Sequence, residues 1–346
     1  MDSFEKIRSL NVDVCCGLAW GDEAKGKIVS QLSSSGKYDF VCRWAGGHNA
    51  GHTIYKNNIK YKTHLIPSGV FYDVLSIIGP DCVVEKNAFT TEINYLKENG
   101  FNTDLIKISP KCHVVSQEHI TEDKAKYVGT QGSTAKGIAP CYRDKYARLG
   151  SRVCDPENID FFKNYLWDEK LYGNVLCEGA QGFWLDINYG NYPYVTSSNT
   201  LPYGACSLGF PLQSINNVYG AAKIYDTRSG IDPEFPETLL EDPDLTKIGE
   251  HGKEYGVTTG RRRKVNWLNL DKLCKALLTT GTTCCIISKT DVLEITKKFK
   301  LFYENELHTF NSYEVMREYI DNILFIKCPH LKTVLYSNDV EKVDGL

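Results

Sequence analysis

The chain has 346 residues, 42% of them apolar and 24% charged, with a formal charge of −3. At this length and composition a globular chain buries roughly 75% of its unfolded surface, and near-neutrality without a run of five like charges argues against a polyanion binder or a polybasic membrane anchor. With no run of eighteen apolar residues and no apolar leader followed by a cleavage site, a cytoplasmic protein is expected, with neither membrane nor nucleic acid as partner.

In chain order the first strand is expected at Val12 to Leu18, followed by a turn and a helix whose buried face carries Ile28, Val29 and Leu32. Residues 73–79 are rich in β-formers, Thr91 to Asn99 places Ile93 and Leu96 at helical spacing with Gly100 as the stop, and Leu105 to Ile108 is β-rich again, which makes a βαβ unit. Further strands are expected at Asn174 to Cys177, Val218 to Ile224 and Cys284 to Ser288, and the acidic, Pro-containing stretch Asp232 to Asp244 reads as a loop. Short, nearly continuous apolar strands alternating with helices predict an α/β fold: a mostly parallel central sheet covered by helices on both faces, with ligands at the C-terminal strand ends. Thirteen Cys do not change this, because Cys15, Cys16, Cys177, Cys284 and Cys285 lie inside apolar stretches, where they act as small hydrophobes, and no C-x-x-C pair suggests zinc. No linker forces a division, so residues 1–346 are expected to form a single domain, with 294–346 as its extension.

Two segments carry chemistry. Directly after the first strand, Gly21 is followed by four residues and then Gly26-Lys27, most of a phosphate-loop pattern, in which backbone N–H groups and a helix N-terminus cradle phosphate oxygens. The Ser/Thr that would hold Mg2+ is replaced by Ile28, so a metal needs another oxygen, and Asp22 inside the loop is the candidate. The second segment, Gly46-Gly47-His48-Asn49-Ala50-Gly51-His52-Thr53, sets two His and an Asn among small residues; such a His can donate to phosphate or move a proton. Each segment taken alone is also compatible with a plain turn.

Together, WGDEAKGKI at 20–28 and GGHNAGHT at 46–53 resemble the adenylosuccinate synthetase family, and later segments match its motifs in order: HLIPSG at 64–69, GSTAKGIAPCYRDK at 132–145, EGAQG at 178–182, PYVTSSNT at 193–200, TRSG at 227–230, VTTGRRR at 257–263 and KTDVL at 289–293. The likeness spans residues 12–293. It implies a P-loop NTPase-like fold and a ligase of purine (AMP) biosynthesis that condenses IMP with L-aspartate at the expense of GTP, through a 6-phosphoryl-IMP intermediate, with Mg2+ as cofactor.

The resemblance also implies roles for individual residues. Asp22 corresponds to the base and His52 to the acid, with Lys25 and Gln181 stabilising developing charge. Asn49, Thr134, Gln181 and Thr196 would hold IMP, together with Arg148 reaching in from the other subunit of a homodimer. Thr258, Thr259, Arg261 and Arg263 would hold the aspartate substrate. Gly21, Glu23, Ala24, Lys25, Gly26, Lys27, Gly51, His52 and Thr53 would line the GTP phosphates, Lys289 and Asp291 the guanine, and Asp22 with Gly51 the metal. Without the resemblance, Arg148 and the cluster Arg261 to Lys264 read as surface charge.

The sequence departs from the family's pattern in places. Ala24 stands where a Gly is usual; a positive φ there would cost an alanine on the order of 1 kcal/mol, so a negative φ or a shifted loop is expected. Lys136 replaces an Arg, and the final segment LYSNDVEKVDGL lacks the Ser-x-Gly-Pro that contacts guanine, which leaves GTP and ATP both open as donors. Two rival functions are a phage-type synthetase acting on dGMP, a class that resemblance says lacks the phosphate-loop carboxylate, and a P-loop regulatory protein, which would not need the VTTGRRR clamp.

Overall fold

The computed structural model describes residues 10–256, 260 and 262–346. Its centre is an eight-stranded sheet in the order Thr333–Ser337, Cys284–Ser288, Ile215–Lys223, Asn11–Gly17, Asn174–Glu178, Phe40–Arg43, Leu75–Ile78, Ile106–Ile108. Every neighbouring pair in it is parallel. The first strand explains the apolar run that marked it: Val12, Val14 and Cys16 pack into one core cluster and Cys15 into another with Ile28 and Val29, so both faces are covered. Strands later in the chain were added on both sides of it, which makes it the point where the order reverses and where a crevice opens above the strand ends.

Around this sheet lie helices and three small sheets. A four-stranded one joins Tyr225–Arg228, Lys264–Asn269, Lys300–Tyr303 and Glu306–Thr309, and a hairpin of His52–Lys56 with Ile59–Thr63 overhangs the strand ends. The residues after Leu293 do not end outside the sheet, since Thr333–Ser337 pairs with Cys284–Ser288 as its edge strand. All thirteen cysteines are free thiols, and among the described residues no helix is long and apolar enough to cross a membrane.

Three expected boundaries move. The helix expected from Thr91 spans Lys86–Glu98, because the Glu85 side chain caps it, accepting from Asn87 N at 3.0 Å and Ala88 N at 2.6 Å. The strand expected from Val218 begins at Ile215, paired to Val12. The stretch read as a loop to Asp244 contains a 3₁₀ turn at Glu237–Leu240, and a helix, Pro243–His251, starts inside it, with Asp242 as its cap.

Candidate active site

A cavity of about 520 Å³ opens over the C-terminal ends of the central strands, bordered by the phosphate loop, the Asn49–Thr53 segment, the 131–134 loop, Gln181, Thr196, Arg263, Lys289 and Asp291. Its floor is the loop between Gly17 and the helix Lys25–Ser34. Three residues of that loop take left-handed backbone, Gly21 at φ 87°, Asp22 at φ 61° and Ala24 at φ 68°. The expectation for Ala24 is therefore overturned: it keeps the positive φ and carries the strain, as the residue that opens the helix.

The loop is held from inside. Glu23 is fully buried; its Oε1 accepts from Ala19 N at 3.1 Å and Gly21 N at 2.8 Å, and its Oε2 pairs with Lys25 Nζ at 2.6 Å. A Cβ at position 182 would lie 2.3 Å from Glu23 Oε1, so only glycine fits there. Glu23, expected among the phosphate contacts, borders the cavity, but its carboxylate faces the protein. It positions Lys25 and ties the Ala19 and Gly21 N–H groups to the interior, which fixes the course of the loop. At the start of the helix, a Cβ on Gly26 would meet His52 Cβ and the Thr53 carbonyl at 3.1 Å, and its absence lets the hairpin strand close over the helix N-terminus.

His52 is buried against this loop and its Nδ1 is bonded to Glu178 Oε1. Burial and the cation of Arg43 lower the imidazole pKa, against the pull of Glu178. Burial would raise the Glu178 carboxyl, but His52 and Arg43 outweigh it and hold it below its ordinary value. Ser68 completes the cage, donating from N at 2.7 Å and from Oγ at 2.9 Å to Glu178. With Nδ1 fixed on the carboxylate, Nε2 is the nitrogen left for a ligand in the cavity. Glu178 stood inside a recognised segment and Arg43 three residues before another, yet sequence reasoning assigned neither a role.

On the opposite wall Asp22 Oδ2 lies 2.9 Å from Arg263 Nε, and Arg263 Nη1 lies 2.6 Å from Glu254 Oε2. Glu254 also accepts from Tyr225 OH at 2.8 Å and pairs with Lys223 Nζ at 3.2 Å. Burial pushes the Glu254 carboxyl up, but Lys223 and Arg263 more than offset it and leave it at about 2. The result is a buried chain of alternating charge, Asp22, Arg263, Glu254, Lys223, in which only Asp22 is partly exposed. Neither Glu254 nor Lys223 was signalled by a motif.

Asn49, Thr134, Thr196 and Gln181 border the same cavity. Gln181 sits at φ 55°, and among the described residues its buried Oε1 has no partner, nor does the buried Ser288 Oγ. Unpaired buried oxygens bordering a cavity are what an incoming donor would satisfy. At the far end Lys289 donates to Gly252 O at 2.8 Å beside Asp291. Thr258, Thr259 and Arg261 lie outside the described residues. Arg148 is not at its own chain's cavity: it caps the helix Ile138–Ala147 on the surface between Tyr146 and Leu149, which are 70% and 79% exposed. Asp22 and Gly51 both border the cavity, and a carboxylate with a backbone carbonyl would make a hard-oxygen set of the kind that suits a divalent cation.

The family model for adenylosuccinate synthetase matches residues 14–172 and 163–322. The adenylosuccinate synthetase of Clostridium botulinum strain Eklund 17B is 38% identical over 344 residues, covering 83% of this chain and 79% of the relative, and that of Geobacillus kaustophilus is 39% identical over 335 residues, covering 81% and 77%. The structure of fully ligated adenylosuccinate synthetase from Plasmodium falciparum superposes with a TM-score of 0.80 at 27% identity, covering 95% of this chain and 98% of that one. The succinoaminodeoxyadenylate synthetase of cyanophage S-2L shares the fold, with a TM-score of 0.69 at 19% identity. By the family model and by these relatives, the chain belongs to the adenylosuccinate synthetase family.

Proposed function

We propose that this protein condenses IMP with L-aspartate, driven by GTP, to give adenylosuccinate, GDP and phosphate. The observation that carries the reading is a carboxylate, Asp22, inside an anion-binding loop, on one cavity with a buried His52–Glu178 pair.

The chemistry follows from where the groups stand. A purine 6-carbonyl is a weak nucleophile until its N1 proton is removed. Asp22 accepts that proton, so O6 attacks the γ-phosphorus and GDP leaves; base catalysis of this kind supplies roughly 10²- to 10⁴-fold. Lys25 and the N-terminus of its helix stabilise the phosphate charge, and the Gln181 amide donates to O6 as charge gathers there. His52 Nε2 faces the breaking bond: the incoming phosphate charge favours the imidazolium, Glu178 already favours it, and burial no longer decides. The aspartate amine, after releasing its ammonium proton to solvent, attacks C6; phosphate departs with the former O6 and carries away the proton that the new C6–N bond sheds. Mg2+, held by Asp22 and the Gly51 carbonyl, would neutralise charge on the donor phosphates.

Thr134 and Thr196 hold the IMP phosphate on this reading, and Arg148 completes that site in a second copy of the chain, which makes the working unit a homodimer in the cytoplasm. Its exposed position between Tyr146 and Leu149 supports this, since it cannot serve its own cavity. The phage-type alternative with dGMP is disfavoured by Asp22. The test is an assay of the purified protein with IMP or dGMP, GTP or ATP, Mg2+ and aspartate, with product identified by mass spectrometry. Adenylosuccinate from IMP supports the reading, and product from dGMP alone overturns it.

A further inference from the structure

The phosphate-loop pattern assigns the Lys27 ammonium to phosphate, but the structure sends it elsewhere. Lys27 is buried and its Nζ donates to Ser337 Oγ at 2.7 Å and to the Asp339 carbonyl at 2.8 Å. One helical turn later Gln31 grips the same segment in both directions, Nε2 donating to Val343 O at 2.8 Å and Oε1 accepting from Val343 N at 2.7 Å. Val343 is buried in the cluster that holds Cys15, Ile28 and Val29. Between these two clamps the Asp339 carboxylate turns back on its own backbone, accepting from Glu341 N at 2.6 Å and Lys342 N at 2.9 Å, so its charge is spent on the turn.

The clamped segment borders the cavity. Ser337 is in register with Ser288 on the neighbouring parallel strand, so Asn338 leaves the sheet edge beside Lys289 and Asp291, and Asn338, Asp339 and Val340 join those two in the cavity wall. One helix, Lys25–Ser34, therefore does two things: its N-terminus faces the phosphate site, and its Lys27 and Gln31 fix the wall of the base site.

We infer that Lys27 and Gln31 are positioning residues for the nucleotide donor, which hold Asn338 to Val340 at a set distance from the phosphate loop and so impose the choice of base. The inference rests on the reading of GTP as donor. A base that meets this wall badly moves its phosphates out of line, because wall and loop are parts of one rigid helix assembly, and misplacement of that kind is costly at a reacting centre.

Gln31 makes the clean test, since it does not border the cavity and can affect base choice only through the clamped segment. Steady-state kinetics with GTP and with ATP, at saturating IMP and aspartate, give the ratio of kcat/KM for the two donors. In Gln31→Ala the GTP preference should fall roughly threefold and in Lys27→Met roughly tenfold, mainly through the donor KM, with the KM values for IMP and aspartate within about twofold of the parent. Lys27→Arg should restore most of the preference. Should Lys27→Met fail to fold, Gln31→Ala and Lys27→Arg decide alone. A GTP preference unmoved in Gln31→Ala, with GTP and ATP losing equally in the Lys27 variants, would overturn the inference and make Lys27 a phosphate contact. An unsubstituted protein that uses GTP and ATP equally would defeat the donor reading itself, and is recognised before any substitution is made.

Discussion

The Asp22 carboxylate is paired with the Arg263 guanidinium at 2.9 Å, so the group proposed to accept the N1 proton is held by the residue proposed to meet the aspartate substrate. Arg263 already spans Asp22 and Glu254, so a bound substrate would bring a third carboxylate to the same guanidinium. Asp22→Asn should abolish synthesis, by at least roughly 10²-fold in kcat, while GTP still binds, because an amide cannot take the proton. Arg263→Leu should raise the KM for aspartate well above any change in that for IMP. Activity of Asp22→Asn within tenfold of the parent would remove it as the base.

The His52–Glu178 contact leads to a second expectation. His52→Asn should lower kcat by roughly 10²- to 10⁴-fold with modest changes in KM. Glu178→Gln should act in the same direction but less, since the imidazole stays while its orienting charge is lost, and the acid side of the pH–rate profile should move with it. A Glu178→Gln enzyme that loses stability but keeps kcat and its pH profile would show that Glu178 serves folding alone.

Glu254 gives a stability window. Its carboxyl sits at about 2 in the folded protein against an ordinary 4.5, so the folded state binds fewer protons than the unfolded state between those values, and its contribution is complete above pH 4.5 and lost as pH falls toward 2. The melting temperature of the parent should exceed that of Glu254→Gln at pH 6 by a margin that shrinks steadily below pH 4.5. A margin independent of pH would mean that packing, rather than the Lys223 and Arg263 charges, explains the residue.

Assembly is tested by complementation. Arg148→Leu and Asp22→Asn homodimers should each be nearly inactive, and a mixture allowed to exchange subunits should regain activity, because one site of the heterodimer receives intact Asp22 from one chain and intact Arg148 from the other. A mixture that exchanges but regains nothing would remove Arg148 from the site.

What the sequence made legible depended on how local the cause was. The strand Asn11–Gly17 could be read because burial on both faces leaves an unbroken apolar run, and the phosphate loop because its glycines and Lys25 sit within one turn of each other. Helix starts were less legible: Glu85 caps six residues before the apolar periodicity becomes visible at Thr91. The supports of the site were hidden for a different reason. His52 meets Glu178 across 126 positions and Lys27 meets Ser337 across 310, and no local pattern encodes such pairs. Glu254 and Lys223 looked like ordinary charged residues, and only the burial of the whole chain of charges shows that they position Arg263 and, through it, Asp22.

The central claim is that the 6-oxygen of IMP is phosphorylated before it is replaced, and the most direct measurement follows that oxygen. The purified protein is supplied with IMP carrying a heavy oxygen isotope at the 6-position, GTP, Mg2+ and aspartate, and the phosphate released is analysed by mass spectrometry. The account predicts one heavy oxygen in each phosphate and one adenylosuccinate for each GDP. Unlabelled phosphate, or GDP released without adenylosuccinate, would contradict it.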